Sequence, residues 1–433
     1  MTSKISKIYS RQVLDSRGNP TIFTSVETSD GKHGVSYVPS GASTGSREAL
    51  ELRDGDKNRF DGKSVYKAVR NIMEVIAPAL IGKESTEQSE IDQIMIDLDG
   101  TPTKSSLGAN AILGVSMANA RVAADSRNQW LFEYIESMKD LTAPSDHLVM
   151  PRPMFNILNG GSHAFNSTDF QEFMIVPTNA DSFKQAVQIS SEIFHNLKKI
   201  LSDNSLSTNL GDEGGYAPQL KNHDEALDYL MRAIEKSGYK PGNEVYIALD
   251  AASSEFYKNK KYELSGENKT INSDDLIKYY EKITSSHPII SIEDPMAEDD
   301  LDGWKNITKS LGSKIQLVGD DLFVTNVEKL SEGIKNKIAN SILIKLNQIG
   351  TVTETIKAIN LAKQNNYSTI ISHRSGETED NFIADLACFS NAGQIKTGSM
   401  ARSERLSKYN QLIRNEEHAG TKYAGKEVFS FLK

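Results

Sequence analysis

A single cysteine in 433 residues, Cys388, excludes an intrachain disulfide. It sits in I-A-D-L-A-C-F, an apolar helical pattern that suits a buried structural thiol. No apolar run approaches the ~18 residues that a membrane span needs. The N-terminal M-T-S-K-I-S-K-I-Y-S lacks a hydrophobic signal core, and no low-complexity segment interrupts the chain. Positive charge is in deficit, with 49 Lys and Arg against 58 Asp and Glu and a net charge of −9. That balance argues against a polyanion-binding surface, so neither nucleic acid nor an anionic membrane is expected as a partner. It does suit metal cations. Together these absences predict a cytoplasmic protein.

What is present is an ordinary globular composition, 38% hydrophobic and 25% charged, in a chain too long for one ordinary core. The first third reads as α+β. K-I-S-K-I-Y-S-R-Q-V-L, T-I-F-T-S-V-E-T and H-G-V-S-Y-V are short β-branched runs separated by D-S-R-G-N-P and S-D-G-K, the pattern of a meander. Helical patterns follow at 63–80, 86–97 and 109–127. A Pro-rich stretch at 142–153 marks a boundary, dividing the chain into an N-terminal α+β domain at 1–140 and a second domain at 141–433. Beyond it, two strand-like runs, P-M-F-N-I-L-N-G-G and F-Q-E-F-M-I-V-P, precede helical segments near 181–202 and 223–237. Then V-Y-I-A-L-D, P-I-I-S-I-E-D, I-Q-L-V-G-D-D, S-I-L-I-K-L, S-T-I-I-S-H and G-Q-I-K-T-G alternate with helices, as at 351–364. Strand–helix alternation implies a parallel sheet, and eight strands suggest a closed barrel of the TIM type.

Each of those six strands carries an ionisable residue at or near its C-terminal end: Asp250, Glu293, Asp320, Lys345, His373 and Lys396. In such a barrel these ends converge on one mouth, where active sites sit. A lone acid ending a strand is commonly a cap or turn residue. Three on successive strand ends are different, because converging carboxylates without a cation repel one another and raise their pKa values. Their oxygens suit a hard cation such as Mg²⁺.

In I-L-I-K-L, Ile342, Ile344 and Leu346 share one face, while Leu343 and Lys345 share the other. Lys345 then stands at the mouth beside the acids. A snorkelling surface lysine is the ordinary alternative, and the apolar flanks speak against it. Burial near a metal is expected to lower the lysine pKa and make the amine a usable base. A base beside metal-bound carboxylates is what α-proton abstraction needs, since the enediolate that forms requires cations on its oxygens.

Two further stretches carry chemistry. L-G-D-E-G-G-Y-A-P sets Glu213 before two glycines that allow tight turns and close approach of a ligand, although an acidic loop is an equal reading. S-H-R-S-G-E-T-E-D groups His373, Arg374 and Ser375, and Arg with a hydroxyl makes a dianion clamp; a helix cap with Arg374 on the surface is the alternative. S-G-A-S-T-G-S at 40–46 lacks the lysine of a P-loop and suits a mobile lid. His33, His195, His223 and His418 read as surface or packing residues, and His147 and His287 receive no role.

Ten stretches in chain order resemble the enolase family nearly end to end: D-S-R-G-N-P, S-G-A-S-T-G-S-R-E-A, N-G-G-S-H-A, Q-E-F-M-I, G-D-E-G-G-Y-A-P, S-I-E-D-P, G-D-D-L-F-V-T-N, K-L-N-Q-I-G, S-H-R-S-G-E-T-E-D and G-Q-I-K-T-G. The resemblance implies a small α+β N-terminal domain and an eight-stranded barrel that begins ββαα and continues (βα)6. It implies a hydro-lyase interconverting 2-phosphoglycerate and phosphoenolpyruvate in glycolysis and gluconeogenesis, with two Mg²⁺ per active site. Glu213 would be the acid on the leaving hydroxyl and Lys345 the base at C2. Asp250, Glu293 and Asp320 would hold the first Mg²⁺, and Ser40 the second once the mobile loop 39–46 closes. Arg374 and Ser375 would take the phosphate and Lys396 the substrate carboxylate. His163, Gln171 and Glu172 would line the site, with Glu172 supporting the acid and His373 nearby. Family members are homodimers, some assembling to octamers. The residues alone point to metal, base and phosphate clamp; they name no substrate and do not choose between Glu172 and Glu213 as the acid.

Two rivals stay open at this stage. A sister enzyme acting on other carboxylates, a racemase or cycloisomerase, usually shows K-x-K on an early barrel strand and needs no phosphate clamp. A non-catalytic structural or binding protein of the same fold predicts decay of the site residues, and every motif position is intact.

Overall fold

The computed structural model describes residues 3–41, 47–138, 149–161, 167–389, 393–420, 422–424, 428, 429 and 431. The β-branched runs at the start form an antiparallel meander of β1 (Ile5–Leu14), β2 (Pro20–Thr28) and β3 (His33–Tyr37). D-S-R-G-N-P closes the first turn: Asp15 Oδ1 accepts from the backbone N–H of Arg17 and Asn19 at 2.8 and 2.9 Å, and Gly18 takes a φ of +72°. The helix Ala109–Ser126 packs on this sheet with nearly every residue buried. Gly34 permits that approach, since a Cβ there would stand 2.3 Å from the Ala118 carbonyl oxygen. The helix expected at 63–80 runs from Tyr66 to Leu80, with a π turn at Ile72–Ile76 in its middle.

After the short β4 (Val149–Met150), β5 (Arg152–Asn159), β6 (Glu172–Pro177) and β7 (Val245–Asp250) open the barrel. A small antiparallel sheet of β8 (Tyr257–Lys258), β9 (Lys261–Leu264) and β10 (Lys269–Ile271) follows, an excursion that the sequence pattern did not suggest. Then come β11 (Ile289–Glu293), β12 (Gln316–Gly319), β13 (Ser341–Ile344), β14 (Ser368–Ser372) and β15 (Gly393–Lys396), and finally β16 (Lys422–Tyr423), which pairs with β4. The closed barrel runs β5-β6-β7-β11-β12-β13-β14-β15 and returns to β5. The helices Phe183–Asp203 and His223–Lys236 lie between β6 and β7, completing the ββαα start.

The pleat sorts the side chains. Met154, Met174, Val176, Ala248, Ile290, Val318, Leu343 and Ile370 fill the barrel interior. Ile342 and Ile344 face outward into the larger helix-covered core, as the alternation in I-L-I-K-L requires. β6 runs antiparallel to both neighbours, pairing Glu172 with Asn159 on one side and Asp250 on the other. Its first residue therefore meets the last residues of β5 and β7 at one mouth. One hydrophobic cluster runs across the domain seam, with Phe132 and Ile135 in it beside Ile383 and Val352, and an ion pair joins it: Arg121 bonds Asp380 through both terminal nitrogens at 2.7 and 2.8 Å. Cys388 is buried, as expected. Among the described residues no helix is long and apolar enough to cross a membrane.

Candidate active site

The strand ends converge as the sequence predicts. Asp250, Glu293 and Lys396 are the last residues of β7, β11 and β15, and Asp320, Lys345 and His373 each lie one residue beyond their strands. One cavity at the mouth is lined by Gln171, Glu172, Glu213, Asp250, Asp320, Lys345, His373, Arg374, Ser375 and Lys396, joined by Asp294 and Asp321.

Lys396 stands among the acids. Its Nζ donates to Glu172 Oε1 at 3.1 Å, Asp250 Oδ2 at 3.3 Å and Glu293 Oε1 at 3.0 Å. Burial disfavours that ammonium, yet Glu172, Glu293 and Asp250 outweigh it and hold the lysine pKa well above its ordinary value. Glu293 is raised by burial and then by Asp250. Glu172 is raised by burial and then by Glu213, and its buried Oε2 has no hydrogen-bond partner among the described residues. The cluster thus demands positive charge, and its donors are all hard oxygens. Those two features fit a divalent cation.

Lys345 corrects one expectation. Its Nζ donates to Asp320 Oδ2 at 2.5 Å. Burial works to lower its pKa, but the Asp320 carboxylate prevails and the pKa is raised. Asp320 is not raised with the other acids either: burial pushes it up and Lys345 pulls it further down, leaving it below its ordinary value. Repulsion among the carboxylates is therefore relieved locally by a lysine at each side of the cluster.

Glu213 comes from the loop that joins the helices Phe183–Asp203 and His223–Lys236. A Cβ at Gly214 would lie 2.4 Å from the Ala401 carbonyl oxygen, and one at Gly215 would lie 2.4 Å from Asn159 Oδ1, so both glycines are required for this close passage. Glu213 Oε2 accepts from Asn156 Nδ2 at 2.9 Å, and Oε1 lies 3.3 Å from His373 Nε2. Glu172, Glu213 and His373 each place a polar atom within 4.8 Å of the others. Burial, aided by the Arg405 guanidinium and opposed by Glu213, lowers His373 to about 4, so the ring is neutral at neutral pH.

Arg374 is buried, and its terminal nitrogens meet Glu48 of the N-terminal domain at 3.0 and 3.1 Å. Asn347 Oδ1 accepts from the same side chain at 2.9 Å. Ser375 is buried next to it. Ser40 reaches this corner from the N-terminal domain: its N–H donates to the Gly376 carbonyl at 2.7 Å and its carbonyl accepts from the Gly376 N–H at 2.8 Å. Its hydroxyl donates to Glu51 at 3.0 Å and accepts from Arg53 at 3.2 Å. Gln171 is tied to the cluster by its N–H, which donates to the Asp250 carbonyl at 3.0 Å. His163 and loop positions 42–46 lie outside the described residues.

Several residues of the site escaped the sequence reading. Asp294 and Asp321, together with the expected Asp320, form a second acidic group able to hold a cation. Asp294 accepts from the backbone N–H of Asp320 and Asp321, both at 2.9 Å, and so clips one strand end to the next. Burial and then Asp320 push Asp321 up to about 8. The doublets E-D and D-D were visible signals for this pair. Gln348 bridges Asp320 and Glu48 at 2.8 and 3.3 Å, and no local pattern announces it.

Comparison with family models agrees with this architecture. Residues 5–135 match the model described as "Enolase, N-terminal domain", and residues 147–431 match "Enolase, C-terminal TIM barrel domain". The two matches cover the sheet domain and the barrel in order, and the chain belongs to the enolase family.

Proposed function

We propose that this site reversibly dehydrates 2-phosphoglycerate to phosphoenolpyruvate, a step of glycolysis and gluconeogenesis, using two Mg²⁺ per active site. The observation that carries the reading is a single cavity lined by Lys345, Glu213, Asp250, Asp320, Arg374 and Lys396. A base, an acid, oxygen ligands and cations for two anionic groups are thus gathered within reach of one small molecule.

In this reading Arg374 and Ser375 hold the phosphate, and Lys396 faces the substrate carboxylate. Gln171 and His163 complete the lining. Asp250, Glu293 and Asp320 would hold one Mg²⁺, and Ser40 would contribute to the second. The ions, when bound, supply the positive charge that an enediolate needs on its oxygens. Lys345 Nζ acts from its neutral form, which the raised pKa makes the minor one at neutral pH: it takes the proton from C2, and the C2–H electrons pass into the carboxylate to give that enediolate. Glu213 then gives a proton to the C3 hydroxyl. The C3–O bond breaks, water leaves and the C2–C3 double bond forms. Glu172, whose carboxyl pKa is raised by burial first and by Glu213 second, supports the acid. His373 is neutral, and its Nε2 faces Glu213 Oε1 at 3.3 Å. The family likeness supports a cytoplasmic homodimer, which mass measurement in solution distinguishes from an octamer.

The test is ultraviolet absorbance on mixing the protein with 2-phosphoglycerate and Mg²⁺, then with excess chelator. An absorbance rise from phosphoenolpyruvate that stops on chelation is expected. No rise, with substrate and Mg²⁺ still binding by calorimetry, would mean a retired enzyme. No substrate binding would remove the phosphate clamp and favour a sister carboxylate enzyme.

A further inference from the structure

Behind the site lies a buried cation that the reaction above does not use. Arg405, near the start of the helix Ser403–Ala419, is fully buried. Its two terminal nitrogens meet four acceptors. One donates to His373 Nδ1 at 2.7 Å and to the Arg374 carbonyl at 2.6 Å. The other donates to the Ser375 carbonyl at 2.6 Å and to the Asp212 carbonyl at 3.0 Å. The carboxylate paired with it, that of Glu404, stands 3.6 Å from Nε. The guanidinium is thus held chiefly by carbonyl oxygens and one imidazole lone pair.

Two consequences follow from chemistry alone. Arg has no acceptor and keeps its protons, so the imidazole atom facing it must be a bare nitrogen. A neutral ring bare at Nδ1 carries its hydrogen at Nε2, which is the atom 3.3 Å from Glu213 Oε1. The carbonyls come from two segments far apart in the chain. Residues 374 and 375 follow β14, and residue 212 adjoins Glu213 in the loop between the helices Phe183–Asp203 and His223–Lys236. A planar fork with four N–H groups can join both segments at once; a lysine ammonium has three donors in a cone and cannot.

We infer that Arg405 is a positioning residue: it locks His373 as the Nε2–H tautomer whose N–H is turned toward Glu213 Oε1, 3.3 Å away, and it ties the acid's loop to the Arg374–Ser375 segment. This explains why a neutral histidine lies against the proposed acid. With its lone pair taken by Arg405, the ring neither accepts a proton nor ligates a metal through Nε2; it orients a carboxyl group. The neutral state assigned to His373 at neutral pH accords with this. The kinetic half of the inference rests on the dehydration reading, while the tautomer half stands without it.

The experiment uses the full chain with ¹⁵N-labelled histidine. Long-range ¹H–¹⁵N spectra report the tautomer of His373, assigned by its loss in His373→Gln. Wild-type protein is expected to show a neutral ring protonated at Nε2. Arg405→Lys is expected to lose that single tautomer. It should slow elimination by ~10–100-fold, the range for partners that orient a working group. Proton exchange at C2, which Lys345 performs, should stay close to wild type. An Nδ1–H or charged ring in the wild type overturns the inference. So does Arg405→Lys with an unchanged ring, or with exchange and elimination falling together alongside thermal stability. If Arg405→Lys does not fold, two His373 variants decide. Gln sets an amide N–H near the Nε2 position and Asn sets an acceptor near the Nδ1 position. Elimination better kept in Gln than in Asn supports the donor role, and the reverse order overturns it. Should wild-type protein show neither exchange nor elimination, the dehydration reading fails while the ring spectrum still decides the tautomer.

Discussion

Leu343 and Lys345 lie two positions apart and point to the same side of the chain, yet they live in different solvents. Leu343 is enclosed by the apolar interior of the barrel, with Val318 from β12 and Ile370 from β14 in the same cluster. Lys345 lies just past the strand, against Asp320 and among ionised groups. The same change occurs along β7, from Ala248 inside to Asp250 at the mouth. One pleat step separates a layer that stabilises by excluding water from a layer that gathers charge. The lower layer holds the strands in place, so that side chains from distant parts of the sequence meet with their geometry already set. The upper layer spends some of that stability on buried charge, as strained or costly features at functional sites generally do.

The largest effects come from breaking the upper layer. Lys345→Ala should lose proton exchange at C2, while Glu213→Gln should keep exchange and lose elimination. Losses of ~10²–10⁴-fold are expected for groups that move protons. Deuterium wash-in at C2, measured beside product formation, separates the two, and equal loss of exchange in both variants would remove the division into base and acid. Breaking the lower layer should act differently. Leu343→Ala leaves a cavity in a packed interior and should cost about 2–5 kcal/mol of stability. Denaturant unfolding measures that cost. Turnover per folded molecule well below the unfolding transition should change little. A large loss of turnover at unchanged stability would mean that the two layers are not separable along β13.

The layering was legible because it obeys short rules. Alternation placed Leu343 with Lys345 and apart from Ile342 and Ile344, and the strand–helix rhythm gave the closed barrel. The charged strand ends named Asp250, Glu293, Asp320, Lys345, His373 and Lys396 before any coordinates. What stayed hidden depends on distances between segments remote in the chain. Nothing near Glu48 announces Arg374, more than three hundred positions away. Nothing around Arg405 announces the Asp212 carbonyl, since backbone acceptors carry no sequence signal. The direction of the Lys345 shift failed for the same reason. Burial could be foreseen from I-L-I-K-L, whereas the carboxylate at 2.5 Å depends on the register of β13 beside β12. The β8–β10 sheet was missed because its strands, of two to four residues, are too short to show a period.

The smallest effect sharpens the comparison most, because it predicts a gain. Glu172 is buried at the mouth beside Glu213, and burial first and Glu213 second raise its pKa well above the ordinary 4.5. A raised carboxyl pKa means that the folded protein binds a proton which the unfolded chain has already released. Stability is then fully present below about 4.5 and falls as pH rises through the folded value. Glu172→Gln removes that loss. Its amide oxygen can still accept from Lys396 Nζ, so the wild-type bond at 3.1 Å need not be lost. With chelator present, the variant should be more stable than wild type at neutral pH by about 0.5–2 kcal/mol, the usual gain from relieving one such site. The advantage should shrink as pH falls toward 4.5. Elimination should fall at the same time, since the group that supports Glu213 has lost its charge change. A variant that is less stable than wild type at neutral pH would show that Lys396 needs the full negative charge of Glu172. The mouth would then be held together by its ion pairs and not strained by them.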